Sequence, residues 1–241
     1  SLRTTGFAII YWIDAVSFGA VMVALWLMHI RPEKGAARNV SMGAALDGLR
    51  FLRKMPIIMS TMTLDFFATF FGAAMVLLPP FAERVLLLDR QYWGLLYAAP
   101  AVGAVVAGVV MSWVGNVKRQ GRLVIASVIA YGLATVVFGL SGTFWLAALG
   151  LAGTGAADTV SMVMRQTIRQ LNTPDELRGR MTSVNMLFYI GGPQLGEVEA
   201  GIAALVIGIG PSIALGGVAV IVVTALTGYF VPSLRNYRSR D

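Results

Sequence analysis

Apolar residues run along this chain in seven long stretches separated by short polar segments. The stretches cover residues 5–30, 57–81, 92–114, 123–140, 144–164, 181–209 and 213–231. A hydrocarbon layer about 30 Å thick is crossed by roughly 20 apolar helical residues. Each stretch therefore predicts a membrane-spanning helix. Connections between the later helices are short, which places those neighbours antiparallel. No series of roughly ten-residue segments with alternating polarity exists, so a membrane barrel is not expected. The fold class is an all-α membrane bundle.

Composition strengthens this reading. The 241 residues are 57% hydrophobic and only 13% charged, about half the charged share of an ordinary soluble domain. That is too little charge to cover a water-facing surface, and the chain is too apolar for disorder. The net charge of +7 suggests nucleic acid in a soluble protein, but here it has to be read by location. One alternating set of polar segments holds Arg31, Lys34, Arg38, Arg50, Arg53 and Lys54, then Lys118, Arg119 and Arg122. The set continues with Arg165, Arg169, Arg178 and Arg180 and closes with Arg235, Arg238 and Arg240. The opposite set holds Arg3, Arg84 and Arg90. This assignment leaves no basic residue inside a span. Because cytoplasmic loops concentrate Lys and Arg, it places the C-terminus in the cytoplasm, and no nucleic-acid partner is expected.

The 31–56 loop carries its own pattern. Met42, Ala45, Leu46, Leu49 and Leu52 recur at helical spacing, with Asp47, Arg50, Arg53 and Lys54 largely off that face. This predicts an amphipathic helix on the inner leaflet, capped by Ser41. Pro56 marks the start of the next helix. In the 173–180 loop, Thr173, Pro174 and Glu176 predict a capping box. Asp175, Glu176, Arg178 and Arg180 are gating-loop candidates through salt bridges.

Ionisable side chains at membrane depth are costly and so mark candidate sites. Five fall within the spans: Asp14, Asp65, Asp158, Glu197 and Glu199. Asp65 lies near mid-membrane, where a carboxyl group can exchange protons or bond a neighbouring helix. Glu197 and Glu199 stand about 200° apart around their helix, so one at most faces a given cavity. Asp65, Glu197 and Glu199 are the proton-coupling candidates. Gly192-x3-Gly196 offers a small-residue packing face. Asp158 either meets substrate or pairs with Arg165 two turns on.

No enzyme is expected. Gly139-Leu140-Ser141-Gly142 matches a serine-nucleophile motif, but the single histidine, His29, lies at the opposite membrane face. With one histidine and no cysteine, no zinc site is expected. No phosphate-binding Gly-x4-Gly-Lys loop is present, and no cofactor is expected.

Four segments carry a resemblance. They are Ile13-Asp14-Ala15-Val16-Ser17-Phe18, Asp47-Gly48-Leu49-Arg50-Phe51-Leu52, Thr173-Pro174-Asp175-Glu176-Leu177-Arg178-Gly179-Arg180 and Gln194-Leu195-Gly196-Glu197-Val198-Glu199-Ala200-Gly201. With the helix count, they make the chain resemble helix 6 to helix 12 of a major facilitator superfamily transporter. The closer likeness is to its transmembrane secretion effector branch, which includes enterobactin-exporter-like and drug-efflux-like proteins. The resemblance implies the last helix of an N-terminal half (1–30), an interdomain loop (31–56), a C-terminal six-helix bundle (57–233) and a cytoplasmic tail (234–241). It further implies a fragment lacking helices 1 to 5 of its N-terminal six-helix half, placed in the bacterial cytoplasmic (inner) membrane. The superfamily's Gly-x3-Asp-Arg-x-Gly-Arg-Arg loop survives in degenerate form. Arg119, Gly121 and Arg122 are kept as gating-loop candidates, while Val114, Lys118 and Leu123 replace other positions.

The function implied is proton-coupled export of small amphipathic molecules, of drug or siderophore class, by alternating access. The partners implied are the lipid bilayer, protons, a small-molecule substrate and the missing half. Asp158, Phe66, Phe70, Tyr97, Tyr189 and Gln194 are substrate-cavity candidates. A cavity wall without basic residues favours cationic or neutral cargo over an anion such as a catecholate siderophore. The alternative is a non-transporting membrane scaffold or sensor whose acids merely join helices.

Overall fold

A computed structural model describes residues 12, 15–24, 27, 55–72, 74–115, 117–174 and 178–238, without the side chains of 74, 180, 183 and 187. The chain forms two compact units, Ser1–Val40 and Ser41–Asp241. The first contributes one described helix, α1 (Ala15–Ala24), which is apolar. Asp14, His29, the amphipathic segment around residues 41–54, and the loop residues Asp175 and Glu176 lie outside the described residues, as does the side chain of Arg180.

In the second unit the helices are α2 (Pro56–Phe71), α3 (Leu78–Arg84), α4 (Arg90–Val114), α5 (Gln120–Gly139), α6 (Phe144–Asn172), α7 (Arg178–Ile207), α8 (Ile209–Phe230) and α9 (Pro232–Arg235). No strand occurs among the described residues. Among the described residues, five helical segments are long and apolar enough to cross a membrane: Pro56–Arg84, Arg90–Val114, Gln120–Gly139, Phe144–Asn172 and Ile209–Phe230. α7 is long enough at 30 residues, but glycines, Pro193, Gln194 and two glutamates dilute its hydropathy.

Two boundaries depart from the sequence pattern. The stretch 57–81 is not one helix. α2 stops at Phe71, Gly72 caps it, and a 3-10 turn (Ala74–Leu77) leads into α3. Pro79 and Pro80 fall in the first turn of α3, the helical position that proline fits best. The carbonyl that the break releases on Gly72 accepts the Tyr131 hydroxyl at 2.9 Å. The second departure corrects the basic-residue assignment. α6 continues to Asn172, 29 residues in all, or about 43 Å at 1.5 Å per residue. Arg165 and Arg169 therefore lie inside a span and not in a loop, and both are buried.

The packing is pairwise. α6 lies against α4 and α5, α5 against α8, and α2 against α7. α2 and α6 meet only over a short length. Backbone runs against backbone at α4 and α6: a Cβ on Gly103 would overlap the Ala152 carbonyl, and one on Gly155 the Pro100 carbonyl. Rigid main chain cannot give way as a side chain does. Gly155→Val is therefore expected to lower stability by about 1–3 kcal/mol, read by thermal unfolding of the purified protein. Gly94→Val on the same α4 has nothing within 4 Å and is the control expected to change little. The predicted Gly192-x3-Gly196 face is used in the same way. Its glycines sit on α2, against the Phe66 and Phe70 carbonyls.

Large apolar side chains cover the outside. Trp113 is 85% exposed and Leu205 89%, an arrangement suited to a lipid surround and not to water. Inside, Leu64, Val124, Met164, Ile168 and Leu234 form a core at one end of the bundle. That core joins the middle of α2 and the start of α5 to the end of α6 and the segment after α8.

Candidate functional site

Beside this core, three helices converge on one carboxylate. Asp65 projects from α2 and is 5% exposed. Arg165 and Arg169 stand four residues apart, on one face of α6. Arg165 Nη1 lies 2.8 Å from Asp65 Oδ1, and Arg169 Nη1 3.4 Å from Oδ2. Both carboxylate oxygens are thus engaged by different guanidinium groups. Arg169 Nη1 also donates to Asn185 Oδ1 on α7 at 2.6 Å. Arg165 Nη2 donates to Asp158 Oδ1 at 3.3 Å, the pairing that their two-turn spacing allows. Two acids and two bases make the cluster neutral overall. Its outer edge is the Asp158 side chain, 53% exposed, whereas Asp65 is 7% exposed.

The arrangement has a mechanical consequence. α2 and α6 meet over a short length, where Leu64 shares a core with Met164 and Ile168, and the ion pairs add a polar link between α2 and α6 there. Separated buried charges cost several kcal/mol each, while a completed pair with its hydrogen bonds restores most of that. Such a link is either made or broken, with little in between. Arg165 Nε has no hydrogen-bond partner among the described residues, which leaves that donor available for a rearranged network.

The other candidates distribute as follows. Phe66 and Phe70 stack on one another at 5.9 Å, and Phe66 meets Phe188 of α7 edge-on, so both serve helix packing in this state. Tyr97, Tyr189, Gln194 and Glu197 are exposed, the first on α4 and the others on α7; Glu199 is half-buried. Neither glutamate has an ion pair among the described residues. Ser141 is buried, and its hydroxyl donates to the Phe138 carbonyl at 2.6 Å. Thr173 caps the end of α6 and donates to the Arg169 carbonyl at 2.7 Å, so its hydroxyl closes the preceding helix. Arg119 and Arg122 sit with Arg235 and Arg238 around a small pocket at the same end of the bundle.

Sequence reasoning missed Arg169 and Asn185. Their signals were present: Arg169 follows Arg165 by one helical turn, and Asn185 lies one turn from Met181, which packs on α2.

Comparison with known proteins agrees with this architecture. The family model described as "Transmembrane secretion effector" matches residues 2–241. An enterobactin exporter EntS of Citrobacter koseri is 27% identical over 238 residues, which is 98% of this chain and 57% of that protein. An enterobactin exporter EntS of Escherichia coli K12 is 26% identical over the same coverage. The chain thus spans a little over half the length of these relatives.

Proposed function

The chain belongs to the transmembrane secretion effector family of major facilitator transporters, and from that premise we propose that it supplies the C-terminal half of an exporter working by alternating access. The observation that carries this reading is the buried Asp65–Arg165–Arg169–Asn185 cluster bridging α2, α6 and α7. An all-or-none polar link between two helix pairs is what a rocking half needs at the end that opens and closes.

Asp65 is the latch in this proposal, with both oxygens taken up by arginines. Glu197, exposed on α7 and without an ion pair among the described residues, is the proton-coupling group, with Glu199 beside it. In the alternating state that takes such a carboxylate out of water, removing its charge changes the desolvation cost by several kcal/mol. A bias of that size is enough to exchange two nearly equal conformers. The protein then sits in the bacterial inner membrane with its C-terminus cytoplasmic, as the alternation of basic segments supports.

The cargo is a small amphipathic molecule. The relatives are named for enterobactin, which makes a siderophore one candidate. The half-exposed acid Asp158 and the exposed Glu197, against arginines already committed to Asp65, favour a cationic or neutral compound. The test uses the full-length protein in proteoliposomes with an imposed pH gradient. A cationic amphiphile and a siderophore are offered in separate arms. Gradient-driven movement is expected in the wild type, and the Glu197→Gln/Glu199→Gln variant is expected to lose its dependence on the gradient. Unchanged gradient-driven movement in that variant would remove the proton assignment. No movement of any cargo by the wild type would return the protein to a scaffold or sensor.

A further inference from the structure

The same end of the bundle carries a second cluster that the latch does not use. Arg119, Arg122, Arg235 and Arg238, with Asn236 and Tyr237, line a pocket of about 120 Å³. All four arginines are exposed, and none has an ion pair among the described residues, whereas Arg165 and Arg169 do. The pocket is held in shape from three directions. The amide of Gly121 donates to the Tyr237 carbonyl at 3.4 Å, and the Tyr237 hydroxyl accepts from Asn172 Nδ2 at 2.8 Å. A Cβ on Gly121 would overlap the Leu234 carbonyl, so glycine there lets the segment after α8 lie directly on the start of α5. Arg235 and Arg238 are thereby fixed opposite Arg119 and Arg122.

A groove of about 620 Å³ shares Arg122 and Arg235 with this pocket. It runs between α5 and α8 along Ile125, Ala126, Ile129 and Ala225. Alanine at 126 and 225 and glycine at 228 leave it open. A cationic pocket thus ends an apolar channel, the order in which headgroup and acyl chain follow one another in a phospholipid.

We propose that this composite site binds one anionic phospholipid, its phosphodiester among Arg119, Arg122, Arg235 and Arg238 and an acyl chain in the α5–α8 groove. Charge complementarity selects the headgroup, since several guanidinium groups converge with no ion-paired acid among the described residues. The groove selects a membrane lipid over a free phosphate, because only the lipid fills both parts. An occupant touching the start of α5, the end of α6 through Tyr237 and Asn172, and the end of α8 ties those three elements together.

Native mass spectrometry of the full-length protein tests this, with phosphatidylglycerol, phosphatidylcholine and inorganic phosphate as probes. The wild type is expected to bind phosphatidylglycerol at least tenfold more tightly than phosphatidylcholine. Arg122→Gln/Arg235→Gln is expected to weaken phosphatidylglycerol about twentyfold, two contacts each worth roughly fivefold, and to leave phosphatidylcholine unchanged. Arg122→Lys/Arg235→Lys keeps the charge and is expected to keep most of the preference, which separates charge from folding. Ala225→Trp fills the groove and is expected to weaken both lipids. Equal binding of the two lipids by the wild type overturns the proposal, as does a preference that survives the Gln pair. Displacement of phosphatidylglycerol by millimolar inorganic phosphate, with Ala225→Trp indifferent, assigns the pocket to a free anion and also overturns it.

Discussion

Asp65→Asn is expected to destabilise the protein by about 3–5 kcal/mol, the cost of breaking a buried ion pair from one side. Two guanidinium groups, 3% and 6% exposed at the side chain, lose the charge that balances them, and an amide of the same shape restores only a dipole. The obvious reference is Asp158→Asn. That side chain is half exposed, so water replaces what the carboxylate gave Arg165, and the loss is expected to stay below about 1 kcal/mol. Thermal unfolding of the two purified variants separates the cases. Transport by the full-length protein is expected to follow the same order. A latch weakened by about 3 kcal/mol shifts its two states by roughly a hundredfold, which leaves the protein mostly in the state with the link broken. Equal stability of the two Asn variants would mean that Asp65 has another source of stabilisation, and the latch would lose its basis.

The reason Asp65 matters was only half legible in the sequence. Hydrophobic runs located the helices well, because a membrane span is a length and polarity requirement that each segment meets alone. Five of the seven stretches correspond to helical segments long and apolar enough to cross, and the Gly192-x3-Gly196 spacing correctly announced a close helix contact. The break at Gly72 had a signal in Pro79-Pro80, a pair that favours the first turn of a new helix, but the apolar run concealed it. The larger miss was α6. Treating every arginine as a loop residue ended that span at Met164, about two helical turns too soon. A one-dimensional pattern prices each charge against lipid, whereas Arg165 and Arg169 face a carboxylate 100 and 104 positions earlier in the chain. Only the fold supplies that partner. The Asp158–Arg165 pair, being local, was foreseeable, and Asn185 was not. The cationic pocket at Arg119, Arg122, Arg235 and Arg238 has the same origin, because it joins two segments more than a hundred residues apart.

Replacing the whole cluster by apolar residues separates what it does for stability from what it does for movement. In Asp65→Leu/Arg165→Met/Arg169→Met no buried charge remains to be compensated. Interior ion pairs exchanged for apolar groups of similar volume commonly leave stability unchanged or raised by about 1–4 kcal/mol. Asn185 forfeits one hydrogen bond, worth about 1 kcal/mol, and Asp158 turns to water. The triple variant is therefore expected to unfold at or above the wild-type temperature, unlike Asp65→Asn. Its transport is nevertheless expected to fall about a hundredfold or more. Apolar side chains join α2 to α6 through contacts that fade gradually with separation and respond to no ligand or proton, so the two-state character of the link is gone. A triple variant that is stable and still transports at the wild-type rate would show the cluster to be ordinary helix glue. A stable but silent one would tie the conformational cycle to these three side chains, since its packing and membrane insertion would be intact.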